Sequence, residues 1–275
     1  AISKRKNHLK ELDALMKAQG KSVIMEKNYV VGVDIGGQTT KIGIVDREGK
    51  IIVQTVITSK YEAGEASIFI KSICDTIQEL AKEVGFENIQ GIGIGAPNGN
   101  YYTGTIEDAA NLAWAKGITV YLAKEVSENL NNIPVTITND ANAAAVGEMK
   151  YGAAKGMKNF IMITLGTGVG SGIIINGELV YGHDGFAGEL GHVTSERVNG
   201  RPCGCGKTGC LEAYCSAIGV AKTAKEWLEN SDEPSLLRDV KDITSKDVFE
   251  AAQKGDSVNE EFYKNEVKNC KNKIK

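Results

Sequence analysis

Proline is scarce in this chain, at 4 of 275 residues, and histidine is scarcer still, at 3. Few prolines beside 32 glycines and 42% apolar residues exclude a fibrous or disordered chain and point to a globular α/β protein with tight turns. No apolar run approaches the ~20 residues a membrane span needs, and the opening residues AISKRKNHLKELDA do not read as a secretory leader, so the expected location is cytoplasmic. An excess of one charge is also missing: 32 basic against 35 acidic residues leave a net charge of -3, which disfavours a general pull toward nucleic acid or an anionic membrane. Two familiar signatures are absent, GxxxxGK[ST] and HExxH, which excludes a P-loop and a metalloprotease helix.

What is present falls into segments. Residues 1–28 form a basic arm with Leu9, Leu12, Leu15 and Met16 roughly on one helical stripe. From Tyr29 the texture becomes strand-like: YVVGVDI, a GGQTT turn, KIGIV, a DREGK turn and IIVQTVI. A helix carrying Ile73, Ile77, Leu80 and Val84 follows, then the strand IQGIGIGAP, and this alternation implies a parallel or mixed sheet covered by helices. FIMITLGTGVGSGIIINGELVYG repeats the pattern of VVGVDIGGQTTKIGIVDREGKIIV. The repeat suggests two related α/β lobes, over residues 29–134 and 135–275, whose glycine loops face each other across a cleft.

Asp34, Gly36 and Gly37 stand where the first strand runs into its turn. Glycines let backbone N–H groups converge on a phosphate, and an adjacent carboxylate can organise Mg²⁺. Gly166, Thr167, Gly168 and Gly170 offer a second such nest, although a plain hairpin turn explains either loop alone. In TITNDANAAAV, Asp140 sits at the carboxyl end of a strand, where open α/β sheets bind ligands, and is a candidate proton acceptor for phosphoryl transfer. The competing role is that of a helix cap.

Six cysteines, four of them between Cys203 and Cys215, fit a metal site in a reducing compartment better than a disulfide framework. His192, Cys203, Cys205 and Cys210 form H-x10-C-x-C-x4-C, one nitrogen and three sulfurs. Such a set closes a tetrahedral zinc shell with no open position, so the metal is expected to be structural; buried free thiols are the alternative. Cys215 reads as a helix thiol outside that shell. Glu189, three residues before His192, is then free to face a polar ligand, with a salt bridge or cap as its competing role, and Glu212 can point at the same site.

From GELGH and CGCGKTGCLE, together with DIGGQ, ANLAW and TNDAN, the sequence resembles the ROK family of bacterial sugar kinases and repressors. The resemblance covers about Tyr29 to Lys254 and implies a two-lobed α/β fold of the actin-like sugar kinase (ribonuclease H-like) type. It also implies ATP-dependent phosphorylation of a hexose, most simply glucose at its 6-hydroxyl, with Mg²⁺ and structural Zn²⁺ and a homo-oligomeric assembly. By motif, Asp34, Gly36, Gly37 and Thr39 match the first phosphate segment, and Gly166, Thr167 and Gly168 the second. Asp140 matches the catalytic base. Asn111, Asn139, Glu189, His192 and Glu212 match sugar ligands, His192 giving one ring nitrogen to zinc and the other to sugar.

Three departures stand out. Gln38 replaces the threonine of DxGGT, which leaves Thr39 or Thr40 to contact phosphate; Asn98 in GAPNGN replaces a glycine. The chain is also expected to be short at its C-terminal end, where relatives continue past ITSKDVFEAAQKGD, and the residues before Tyr29 are too few for the winged helix of repressor members. A non-catalytic sugar-binding sensor of the same fold is the alternative function.

Overall fold

The computed structural model describes residues 28–256. The expected arm over residues 1–28, save Asn28, and the stretch ending KNCKNKIK lie outside the described residues. The chain divides into two compact units, with the boundary between Asp140 and Ala141.

In the first unit, β1 (Tyr29–Ile35), β2 (Thr39–Val45) and β3 (Ile51–Thr58) form an antiparallel run, followed by α1 (Ala66–Ala81) and β4 (Ile89–Gly95). Three short strands, β5 (Gly99–Asn100), β6 (Thr105–Glu107) and β7 (Thr119–Val120), make a separate small sheet. Helix α2 (Leu122–Asn129) then leads to β8 (Val135–Thr138). The main sheet has the order β3-β2-β1-β4-β8, with β4 parallel to both β1 and β8, so it is the mixed sheet expected.

Alternation sets the buried face: Val31, Val33 and Ile35 of β1 and Thr40, Ile42 and Ile44 of β2 are buried, while the residues between them are more open. Helix α1 covers that face with Phe69, Ile73, Ile77 and Leu80, one stripe at helical spacing. Val84, expected to extend the stripe, falls beyond the helix and packs at the edge of the core. Trp114, fully buried, lies against Phe69 with ring centroids 4.5 Å apart.

The second unit takes up α3 (Asp140–Tyr151), which starts at the boundary, then β9 (Phe160–Leu165), β10 (Val169–Ile175) and β11 (Glu178–Leu179) in one antiparallel sheet. Helices α4 (Glu212–Cys215), α5 (Ala217–Glu229) and α6 (Ser245–Gln253) follow, the last opened by a capping box between Thr244 and Asp247. The strand at Val135 does not begin this unit, contrary to the division expected after residue 134. It completes the first sheet, pairing Ile92 with Val135 through Gly95 with Thr138. The repeat itself is the one expected: it relates β1-β2-β3 to β9-β10-β11, each with a glycine turn between its first two strands.

Small residues set the approach of α3 to β10. A Cβ at Gly172 would come 2.6 Å from Ala145 Cβ, and one at Gly170 would come 2.8 Å from Ala141 Cβ. Gly170, read from sequence as part of an anion nest, therefore serves helix–strand packing.

Candidate functional site

The turn after β1 is closed by the Gly36 N–H, which donates to Thr39 O at 3.0 Å. A Cβ at Gly37 would come 3.1 Å from the Asn111 carbonyl, so the absence of a side chain there lets two expected site segments touch. Leu112 and Trp114 are buried and Asn111 is exposed, which anchors the ANLAW segment by its apolar residues and leaves the amide accessible. Asp34 is exposed, with Lys41 Nζ 3.8 Å from its carboxylate. Thr39 is exposed on the turn. Thr40 is fully buried and shares a 2.7 Å hydrogen bond with the Ser59 hydroxyl, which removes it as a phosphate contact.

β8 ends at Thr138, whose carbonyl accepts from the Ala96 N–H at 3.0 Å. This bond ties the loop after β4 to the strand end that presents half-buried Asn139 and exposed Asp140, the first residue of α3.

In the second unit, the turn joining β9 to β10 is closed by Gly166 N–H donating to Gly168 O at 3.0 Å, with Thr167 exposed. The GELGH segment lies directly on β10. Gly188, at φ +91°, accepts from the Ser171 hydroxyl through its carbonyl, and Gly191 packs against the Val169 carbonyl where no side chain would fit. Glu189 is exposed and His192 half-buried on this short helical turn (Leu190–His192). Glu212 Oε2 accepts from the Val169 N–H at 2.9 Å. Ser171 carries no marker in the sequence beyond being a polar residue within the apolar strand VGSGIII.

The four expected metal ligands do come together. One ligand atom from each of His192, Cys203, Cys205 and Cys210 lies within 4.8 Å of all the others, the one such group of three or more among the described residues. His192 Nδ1 is 3.6 Å from Cys203 Sγ, and the Cys205 and Cys210 sulfurs are 3.7 Å apart. A tetrahedral ion about 2.3 Å from sulfur and about 2.0 Å from nitrogen separates neighbouring ligand atoms by about 3.5–3.8 Å, which both of these distances match. Burial pushes the Cys203 and Cys210 thiols up, whereas the Lys207 N–H holds the Cys205 thiol down. Cys215, on α4, is outside the group.

The cysteine loop is fastened to its own unit by Arg201, which sequence reading also missed. Its guanidinium lies 4.6 Å from the Tyr214 ring centre and donates to Glu226 Oε2 at 2.5 and 3.1 Å and to Thr223 Oγ1 at 2.6 Å. A lone arginine before CGCG carries no pattern that marks it.

A model of the ROK family matches residues 30–274. The chain belongs to the ROK family. The ROK chain is 40% identical over 239 residues to the glucokinase of Halalkalibacterium halodurans, covering 85% of this chain and 71% of that relative. It is 31% identical over 265 residues to the xylose repressor of Caldicellulosiruptor bescii, covering 91% and 65%. A solved ROK family glucokinase from Streptomyces griseus, in complex with glucose and AMPPNP, superposes with a TM-score of 0.66 at 35% identity, covering 84% of this chain and 73% of that one. The two-lobed α/β sugar-kinase fold expected from sequence is thus the fold of this ROK protein.

The ROK chain's two local departures have physical explanations. Asn98 sits at φ +52°, the left-handed region that glycine occupies freely and asparagine better than most other residues. Its side-chain amide donates to the carbonyls of Glu107 at 2.9 Å and Asp108 at 3.1 Å. Replacing Asn98 by alanine is expected to lower stability by about 1–2 kcal/mol, from backbone strain and two lost bonds at an exposed position. Asn98→Gly should lose less, and urea unfolding of the two variants checks the order. Gln38 holds the turn by its backbone, its carbonyl accepting from the Ser59 N–H at 3.0 Å, while its side chain is exposed. The change from threonine therefore leaves the turn intact.

Proposed function

We propose that this ROK protein transfers the terminal phosphoryl group of ATP to glucose at its 6-hydroxyl. Membership of the family and the likeness to glucokinases support a hexose kinase activity in general. The observation that carries the reading is the contact of Gly37 with Asn111, which sets an expected phosphate turn beside an expected sugar ligand 74 positions along the chain.

Asp140 accepts the proton of the attacking hydroxyl as its oxygen bonds to phosphorus and the bond to the leaving ADP oxygen breaks. Asn111 and Asn139 orient the sugar in the first unit. Glu189, Glu212 and the His192 ring nitrogen turned from the cysteines supply polar partners in the second. The Gly36 and Gly166 N–H groups close their turns, and the N–H groups of Gly37, Thr167 and Gly168 hold phosphate oxygens. Asp34 is a single carboxylate outside any ligand cluster among the described residues, which suits Mg²⁺ arriving on the nucleotide phosphates and neutralising their charge. Zn²⁺ on His192, Cys203, Cys205 and Cys210 would fix the loop that carries Glu189 and leave the reaction to the surrounding side chains.

A coupled assay with ATP and glucose, N-acetylglucosamine, N-acetylmannosamine, mannose or fructose tests the reading, and turnover is expected with glucose. The likeness to a xylose repressor favours a second reading, a non-catalytic sugar sensor. Sugar binding without turnover on any of the five would decide for it.

Glu189→Gln keeps size but replaces charge-assisted hydrogen bonds with neutral ones, so glucose binding should weaken by about 1–3 kcal/mol with zinc content unchanged. Calorimetric titration and metal analysis on one sample check both parts. Loss of zinc would move Glu189 into the metal shell, and unchanged affinity would return it to a surface role.

A further inference from the structure

Glu212 does more in this fold than offer a carboxylate to a ligand. Its position is set by the cysteine loop: it follows Cys210 by two residues, Cys210 bridges to Thr194, and the Leu211 N–H donates to Val193 O at 3.0 Å. From there Oε2 accepts the buried Val169 N–H at 2.9 Å, at the point where the Gly166–Gly168 turn enters β10. The other end of that turn is held from the same stretch of chain, since the Ala217 N–H donates to Gly166 O at 2.8 Å. Residues 212–217 thus grip the turn on both sides. Gly168 makes room for the grip, because a Cβ there would come 2.5 Å from Glu212 Oε2.

We infer that Glu212 is a positioning residue that fastens the Gly166–Val169 turn to the cysteine loop, so that the conformation of the turn depends on that side chain. The second oxygen, Oε1, lies 3.8 Å from Cys203 Sγ, which ties the same carboxylate to the cysteine loop. The consequence for nucleotide affinity rests on the proposal that this turn holds phosphate; the structural role does not.

The test is amide hydrogen exchange at Val169, followed by NMR on the full chain as purified with its metal, with AMPPNP titration and metal analysis alongside. Glu212→Ala removes the acceptor and should speed Val169 exchange by about tenfold or more, while Glu212→Gln keeps an acceptor oxygen and should restore most of the protection. Gly168→Ala, which displaces the carboxylate without removing it, should also speed exchange, and it serves if Glu212→Ala does not fold. AMPPNP affinity is expected to fall about tenfold in Glu212→Ala, in step with exchange, at constant zinc content. Unchanged Val169 exchange in both Glu212→Ala and Gly168→Ala would overturn the inference. Faster exchange with unchanged AMPPNP affinity would uphold the positioning role and remove the phosphate role of the turn. A parent protein that binds no AMPPNP would count against the kinase reading, while exchange would still decide the role of Glu212.

Discussion

Asp140→Asn is expected to lower kcat by about three orders of magnitude while leaving sugar affinity within about twofold, because the amide keeps the shape of the carboxylate and loses its capacity to take a proton. The placement of Asp140 motivates the size of the effect. It is exposed at the carboxyl end of β8, on the first turn of a helix whose Ala141 and Ala145 are packed against Gly170 and Gly172 of β10. The backbone there has little freedom to compensate by moving another group into place. Steady-state kinetics and calorimetry on the same variant separate the outcomes. Equal kcat in variant and parent would end the assignment, and a change confined to KM would make Asp140 a sugar ligand only.

The second large effect concerns the metal cluster. About one zinc per chain is expected, and Cys205→Ser should release it, lower the melting temperature of the second unit by about 10 °C and weaken sugar binding. Few apolar side chains hold the cysteine loop: among residues 193–210 the described core includes Cys210 alone. Its fastenings include two isolated bridges, Thr194 with Cys210 and Pro202 with Thr208, and the Arg201 contacts to α4 and α5. An ion with four ligands would be the strongest constraint on such a loop, and His192 carries that constraint into the turn bearing Glu189. Metal analysis with calorimetric melting checks this. A zinc-free parent, or a Cys205→Ser variant that melts with the parent, would refute the structural role.

Much of the fold was legible because its signals are local. Alternation in YVVGVDI and KIGIV fixed which side of each strand is buried, and the glycine turns marked where β1 gives way to β2 and β9 to β10. The convergence of His192, Cys203, Cys205 and Cys210 was legible because residue types at such short spacings leave little else for the loop to do. Partnership at a distance was not. That Val135–Thr138 joins the first sheet depends on its pairing with β4, more than 40 residues earlier, and no periodicity encodes a partner. Gly170 was misread for a related reason: a glycine needed for helix packing and one needed for an anion look alike until the neighbour, here Ala141, is known. Thr39 and Thr40 were inseparable in sequence and are separated by the pleat, which buries one beside Ser59 and exposes the other. Arg201 and Ser171 act through contacts with residues far along the chain and left only a faint mark in it.

The claim that the protein is a glucose 6-phosphotransferase is tested most directly by following ATP, Mg²⁺ and glucose with the protein by phosphorus NMR. The expected result is loss of the γ-phosphate signal matched by growth of ADP and of one phosphate monoester, coupled to the protons at C6 of the sugar. Conversion of ATP to ADP and inorganic phosphate alone, or no conversion with glucose demonstrably bound, would contradict it.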